Sequence, residues 1–391
     1  MRTALLSWDF PPAPTGLGRA ASEIAHGLAA NGVDVTVLCA DREGTEETAF
    51  GRVVGCAVGP STAASWARRR MALGHLVGPA VLARAVRRLH AERPFEVIEA
   101  TNWYAPAALL TAGPAPLVVR NSTPACEGFA PGPRPRDRLD GAFAHRLEAR
   151  TARRATALVS NTAHHRDRIA ALYALPPGLP HHVMGLALSD ELVAAGAGAP
   201  PPEPSGPLVF IGRAERRKGF DEAIGGLLRA SAARRARGRP PLSLDLVGLE
   251  RADWTGAADR LGLDREARGA IRCHGRADDE TVHGLLASAS AVLAPSRYES
   301  YGIVYREAAA FGRPLVACAE DPSAREFVAR VPCGVLAARC EAGAIADAIE
   351  EALDPERTAA FRDAGRAHAA MLTRRALGAA TLAVYRAVAG A

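Results

Sequence analysis

Two successive α/β domains, each a doubly wound parallel sheet, are predicted for this 391-residue chain by three observations. Short apolar runs alternate with Ala-rich helical segments from residue 1 to about 195. A Pro/Gly-rich stretch, GAGAPPPEPSG, then interrupts at 196–206. Beyond it the alternation restarts. Strand–helix alternation implies parallel strands with helices on both faces, and three consecutive prolines flanked by glycines read as a stiff connector. In the first domain the expected strands are Thr3–Trp8, Val33–Cys39, Glu96–Glu99, Leu117–Val119 and Ala157–Val159, with amphipathic stretches at Pro79–His90 and Ala144–Arg153. In the second they are 208–212, 242–248, 270–275, 291–296 and 314–319, and Arg374–Val388 reads as a closing helix. The predicted division is therefore 1–195, a linker at 196–206, and 207–373, with 374–391 as the last helix. Ligand sites in such sheets lie beyond the carboxyl ends of the strands, so two facing domains would form a cleft.

Composition narrows the function classes. Apolar residues are 48% and charged residues 23% of the chain, the balance of a soluble globular protein. No basic segment followed by an apolar core opens the sequence, so a cytoplasmic protein is expected. No run of about 18 apolar residues is present, so no membrane span is expected. Seven cysteines occur without a CxxC pair, which fits reduced thiols. The net charge of +6 is spread over clusters such as Arg68–Arg70 and Arg84–Arg88. Solvated helix faces account for these, with an anionic membrane surface as the alternative. Nucleic acid is not expected, because aromatics are only 5% and do not interleave with the clusters. Of the 48 basic residues a single one, Lys218, is lysine. In so Arg-rich a chain, that marks a position needing a compact ammonium instead of a planar fork, with chance survival of one lysine as the alternative.

Three loops bear on ligand chemistry. Gly16-x-Gly18-x-x-Ala21 approaches a dinucleotide fingerprint, and Asp41 stands where a ribose-binding acid would be. Seven residues with three prolines separate the first strand from Gly16, too long and rigid for that turn. The loop can still receive an anion at the helix start, or serve as a packing turn. The second loop, FIGRAERRKGFDEAI (210–224), sets Arg213 and Lys218 just past a strand's carboxyl end, where a fork and a point charge suit a diphosphate. Plain exposed loop charges are the alternative. The third, PSRYESYGIVYREAAAFGRPLVAC (295–318), predicts a helix from about Ile303 to Phe311, with free N–H groups at Gly302, Ile303 and Val304. Glu299 and Glu307 beside it suit sugar hydroxyls, unless Glu307 is an ordinary helix-surface glutamate.

These segments, in this order, resemble glycosyltransferase family 4, retaining enzymes of the GT-B type with two Rossmann-like domains facing across a cleft. The 295–318 stretch resembles the family's Glu-x7-Glu signature, 210–224 its phosphate loop, and 10–38 its N-terminal glycine loop. The resemblance implies that Arg213 and Lys218 hold the donor diphosphate and Glu307 the ribose. It implies that Glu299, Ser300, Tyr301 and Gly302 contact the transferred sugar, while Ile303 and Val304 offer N–H groups to phosphate. Arg276 to Asp278 would border the base, Gly16 would approach the diphosphate from the first domain, and the last helix would cross back onto that domain. No metal or other cofactor is implied, and Asp278-Asp279 does not make an Asp-x-Asp motif. Charge on a departing nucleoside diphosphate would be met by cations and a helix N-terminus.

One departure stands out. Where family members commonly carry a His near the donor sugar, this chain reads Val118-Val-Arg-Asn-Ser-Thr-Pro124, with Ser122 at the His position and Asn121 as a candidate substitute. His26, His164 and His165 fall on expected helices, with surface or packing roles. Trp103, Asn121 and Ser122 are acceptor-side candidates. The expected activity is transfer of a sugar from a nucleotide donor, UDP-sugars favoured, to a small acceptor, with antibiotic assembly as a plausible setting. A peripheral membrane enzyme with a lipid acceptor is the alternative, through the basic stretch Trp66–His90, interrupted at Gly78-Pro79. A non-catalytic sugar-nucleotide binder and a nicotinamide dehydrogenase are the remaining readings.

Overall fold

The computed structural model describes residues 1–13, 15–57, 75–128 and 135–390. They form two compact units. One comprises Met1–Ala187 with the C-terminal segment from Thr373, the other Leu188–Leu372.

In the first unit the strands are β1 (Arg2–Ser7), β2 (Asp34–Cys39), β3 (Thr45–Thr48), β4 (Gly51–Gly55), β5 (Val97–Thr101), β6 (Leu117–Asn121), β7 (Ala157–Ser160) and β8 (His181–Val183). They lie in the order β3-β4-β2-β1-β5-β6-β7-β8, parallel except for β3 against β4. β1, β6 and β7 are buried at every position, as the near-continuous apolar runs of a two-sided parallel sheet require. β3, TEET, is mostly exposed and has no apolar signature, so the sequence reading passed over it. The strand order reverses direction between β1 and β5, and this is the switch point of the sheet.

The second unit contains β9 (Leu208–Ile211), β10 (Leu244–Val247), β11 (Ile271–Cys273), β12 (Ala291–Ala294), β13 (Leu315–Cys318) and β14 (Gly334–Ala337). All are parallel, in the order β11-β10-β9-β12-β13-β14. Its switch point lies between β9 and β12.

The expected linker is in a different place. The division falls between Ala187 and Leu188, ahead of the proline-rich stretch. The chain after it enters a helix, Asp190–Gly198, capped by Ser189 and pressed so closely on the helix Ile303–Ala310 that a Cβ on Gly196 would lie 2.4 Å from the Ala310 carbonyl oxygen. The prolines that follow are tied down too. Arg366 Nη2 donates to the Ala199 carbonyl at 2.7 Å, and Arg313 donates to that of Pro200. Proline richness here stiffens a strap on the second unit.

The last helix, Arg374–Ala389, belongs to the first unit, where it crosses the helix Gly16–Ala29 at a glycine pair. A Cβ on Gly378 would lie 1.8 Å from the Gly27 carbonyl oxygen. Arg374 bridges to Glu23 at 2.6 Å. Beneath it, Tyr385 donates at 2.9 Å to the buried Glu99, which is also paired with Arg120 at 2.7 Å. Of the Trp66–His90 stretch, residues 66–74 lie outside the described residues. From Val77 it is a helix, Val77–Glu92, so Gly78-Pro79 begins the helix where a break was expected. Proline is well tolerated in a first turn, where its missing N–H has no partner to lose. Among the described residues no helix is long and apolar enough to cross a membrane.

Candidate active site at the β9–β12 switch point

β9 ends at Ile211, and the chain turns through Arg213 into a short 3₁₀ turn, Arg216–Lys218. Gly219 follows with φ +65°, and a Cβ there would meet the Pro295 carbonyl oxygen at 2.2 Å, so glycine is required. That close approach brings the loop after β9 against the loop after β12. Arg297 fastens the two, donating from Nη1 to the Arg216 carbonyl and from Nη2 to Glu222, each at 2.8 Å.

The outcome is a charge cluster in which two partly exposed cations flank the buried Glu299. Lys218 Nζ donates to Glu299 Oε1 at 2.6 Å, and Ser296 Oγ donates to the same oxygen at 2.8 Å. Arg217 Nη1 reaches Glu299 Oε2 at 3.3 Å and the Tyr298 carbonyl at 2.9 Å. Burial by itself would raise the Glu299 carboxyl, but Lys218 and Arg217 outweigh it and hold the group below the usual carboxylate range. The Glu299 main chain is fixed as well. Its N–H donates to Asp321 Oδ1 at 3.0 Å, and Ser323 Oγ donates to its carbonyl at 2.5 Å. Asp321 caps the helix Pro322–Arg330 and accepts from the Tyr305 hydroxyl at 2.7 Å. Burial, with nearby Glu299 adding to it, pushes the Asp321 carboxyl up to about 6.

Gly302, at φ +72°, caps the helix Ile303–Ala310, and a Cβ there would strike the Tyr305 ring at 2.3 Å. The Arg306 guanidinium lies over the rings of Tyr301 and Phe327, at 3.9 and 4.2 Å, and locks the 300–302 turn. A cavity of about 40 Å³ lies between Lys218, Glu299 and the start of this helix, at Gly302, Ile303 and Val304. Glu307, one turn further, is buried at 7% exposure. A wider groove of about 480 Å³ opens past β9 and β10, lined by Arg213, Glu215, Gly248, Glu250 and Arg276. Arg213 is half-exposed and pairs with Glu215 at 2.8 Å. Asp278 accepts from the Thr281 N–H at 2.9 Å as a helix cap. Among the described residues no group of three or more His, Cys, Asp or Glu could hold a metal ion.

The structure thus brings Lys218, Glu299, Gly302, Ile303 and Val304 to one cavity and sets Arg213 and Arg276 along one groove. Sequence reasoning missed Arg217, Arg297 and Asp321. Arg217 sits between Arg216 and Lys218 with nothing in the string to separate it, and Arg297 is a lone loop arginine whose partners are remote in sequence. Asp321 had the signature Asp-Pro of a helix cap and no hint of its second use.

The remaining candidates belong to the first unit. Gly16 starts its helix with nothing within 4 Å of a would-be Cβ. Gly18 is the packed glycine, its Cβ position lying 2.7 Å from Asp9 Oδ1. Asp41 accepts from the Phe10 N–H at 3.2 Å and from Arg42, bracing this loop. At the β1–β5 switch point, Trp8 Nε1 donates to the Trp103 carbonyl at 2.6 Å. Tyr104 and Ala105 follow at φ +51° and +43°, a strained pair held where Glu148 Oε1 accepts the Tyr104 N–H at 2.8 Å. Ser122 donates to Asn102 Oδ1 from its N–H at 2.7 Å and its hydroxyl at 3.0 Å. Asn121 is 1% exposed and its Nδ2 donates to the Val159 carbonyl and Ser160 Oγ, both at 3.1 Å, so the amide nitrogen is committed to β7 and the residue is not open to a ligand in place of the family's His. His165 is fully buried, and burial pushes its imidazole down to about 3.

Comparison with known proteins agrees with this architecture. Residues 15–185 match the "Glycosyl transferase 4-like domain" family and residues 199–368 match "Glycosyl transferases group 1". A glycogen synthase of Mycobacterium tuberculosis is 30% identical over 379 residues, covering 90% of this chain and 86% of that protein. D-inositol 3-phosphate glycosyltransferase 2 of Catenulispora acidiphila is 32% identical over 58% of this chain and 55% of its own. Among solved structures, the sucrose-phosphate synthase of Thermosynechococcus elongatus superposes with a TM-score of 0.76 at 20% identity, covering 98% of both chains. Anabaena HepE, in complex with UDP and glucose, gives 0.67 at 18% identity over 99% of this chain and 100% of that one. Two family matches in tandem, a relative aligned over nine-tenths of the chain and the two parallel sheets establish that the chain belongs to the group 1 glycosyltransferases, enzymes of the GT-B fold.

Proposed function

We propose that the chain moves a sugar from a nucleoside diphosphate donor to a hydroxyl of a carbohydrate acceptor, with retention of configuration and without a metal ion. The observation that carries this is the switch-point cluster, in which Lys218, the buried Glu299 and the N-terminus of the helix Ile303–Ala310 converge on one cavity. In the reaction the bond from the anomeric carbon to the β-phosphate oxygen breaks, and a bond to the acceptor oxygen forms on the same face. The acceptor proton passes to the departing phosphate oxygen. Arg213, Lys218 and the N–H groups of Ile303 and Val304 meet the charge that develops there. Glu299, with Ser300 to Gly302, receives the sugar's hydroxyls, Glu307 the ribose, and the groove beside Arg276 the base. Gly16 leaves room for a phosphate to approach its helix start. Trp103 and Ser122, at the strand ends of the first unit, serve the acceptor side, while the buried Asn121 is held within the sheet and does not.

UDP is the favoured carrier, which the UDP-bound HepE structure supports by its likeness of fold. The relatives named above support a carbohydrate acceptor in place of antibiotic assembly. The test is thermal unfolding with UDP, GDP, ADP and dTDP, their sugars, and NADPH. One nucleoside diphosphate is expected to raise the midpoint, and Lys218→Ala to abolish the rise. A rise with NADPH alone would sink the proposal. With the matching nucleotide sugar, diphosphate release should increase on adding a carbohydrate acceptor, maltotetraose being the first probe, and should survive EDTA.

A further inference from the structure

Glu299 carries two cations, and they are held differently. Lys218 touches it through one flexible ammonium, at 2.6 Å on Oε1, and that contact is the only hydrogen bond of its Nζ among the described residues. Arg217 faces the other oxygen at 3.3 Å and is anchored to the same loop through the Tyr298 carbonyl at 2.9 Å, with Glu215 3.6 Å behind it. The 3₁₀ turn Arg216–Lys218 directs the two consecutive side chains to the two oxygens.

If Lys218 alone balanced Glu299, moving to a diphosphate would strand a buried carboxylate, a costly exchange. We propose that Arg217 is the resident counter-ion of Glu299, a positioning residue that leaves Lys218 free to transfer to the donor's diphosphate. The division follows the chemistry of the side chains. A planar fork suits fixed bridging of a carboxylate and a carbonyl, and an ammonium on a four-carbon stem suits the group that moves. This explains why one lysine stands next to an arginine in a chain otherwise committed to arginine. The inference rests on the donor-diphosphate reading above.

The experiment is a double-mutant cycle read as UDP affinity by calorimetry on wild type, Arg217→Met, Glu299→Gln and the pair together. In Arg217→Met, binding should weaken about tenfold, the scale of one charge-assisted hydrogen bond. In the double variant, affinity should return to that of Glu299→Gln, because no carboxylate remains to be balanced. Arg217→Lys, which keeps the charge, should lie between Arg217→Met and wild type. Equal affinity of Arg217→Met and wild type would overturn the proposal, as would a double variant clearly weaker than Glu299→Gln. Should Arg217→Met fail to fold, Arg217→Lys takes its place in the cycle: binding weaker than wild type that is lost as a difference on the Glu299→Gln background supports the proposal, and affinity equal to wild type overturns it. If wild type binds GDP, ADP or dTDP and not UDP, the cycle is run with that nucleotide. A wild type that binds none of the four removes the donor reading itself.

Discussion

Glu99 and Glu299 are both buried carboxylates with arginine partners, yet they sit in opposite kinds of place. Glu99 is inside β5 and 1% exposed. It accepts from Arg120 at 2.7 and 3.2 Å and from Tyr385 at 2.9 Å, while Arg120 is further tied to Thr381 at 3.1 Å. Each of these partners lies on a regular element of the first unit. Glu299 lies on a loop past the carboxyl end of β12, 9% exposed, beside a cavity, with one of its two cations held at a single atom. The first arrangement is closed and can only stabilise; the second can exchange a partner. Glu148 completes the comparison. It is fully buried and takes the Tyr104 N–H and the Tyr173 hydroxyl, each at 2.8 Å, with no cation paired to it among the described residues. Burial there pushes the carboxyl up to about 7.

The largest effect is expected from breaking the closed pair. Arg120→Met strands Glu99 and should cost about 3–5 kcal/mol of stability, read as a lowered chemical-denaturation midpoint, while the folded fraction binds nucleotide as wild type does. Lys218→Met should do the reverse. Turnover should fall about 10²–10³-fold with a much smaller stability loss, since Arg217 and Ser296 still hold Glu299. Equal stability losses in the two variants would erase the distinction. Gly302→Ala comes next, at about 1–3 kcal/mol, because it forces a left-handed turn and a clash with Tyr305, and nucleotide affinity should drop with it.

The smallest effect sharpens the comparison through pH. A carboxyl raised from 4.5 to about 7 on folding binds more protons in the folded state between those values. Its contribution therefore favours the fold below about pH 4.5 and is lost as pH rises through 7. Glu148→Gln should flatten that part of the slope of stability against pH between 5 and 7.5. An unchanged slope would show that Glu148 does not titrate there.

Much of this was legible beforehand, for physical reasons that differ by region. Buried parallel strands announce themselves as apolar runs, so β1, β2, β5 to β7 and β9 to β13 were read close to their observed bounds. β3, β4, β8 and β14 were not, being exposed, short or partly glycine. The Glu299 loop and Lys218 were legible because glycine and charge at strand ends have few structural uses. Arg217 was not, because only the register of a 3₁₀ turn distinguishes it from Arg216. The proline strap was misplaced because composition reports stiffness and cannot say which body a stiff segment lies on.

The glycine crossing of the first and last helices has a consequence for synthesis. The second unit is one uninterrupted stretch, Leu188–Leu372, whereas the first is assembled from both ends of the described chain. As the polypeptide leaves the ribosome, residues 1–187 emerge first but lack Tyr385, Thr381 and the helix that covers the Glu99–Arg120 pair. The later-made unit therefore has all its parts before the earlier one does, and the earlier one matures only when residues 374–389 arrive to close it.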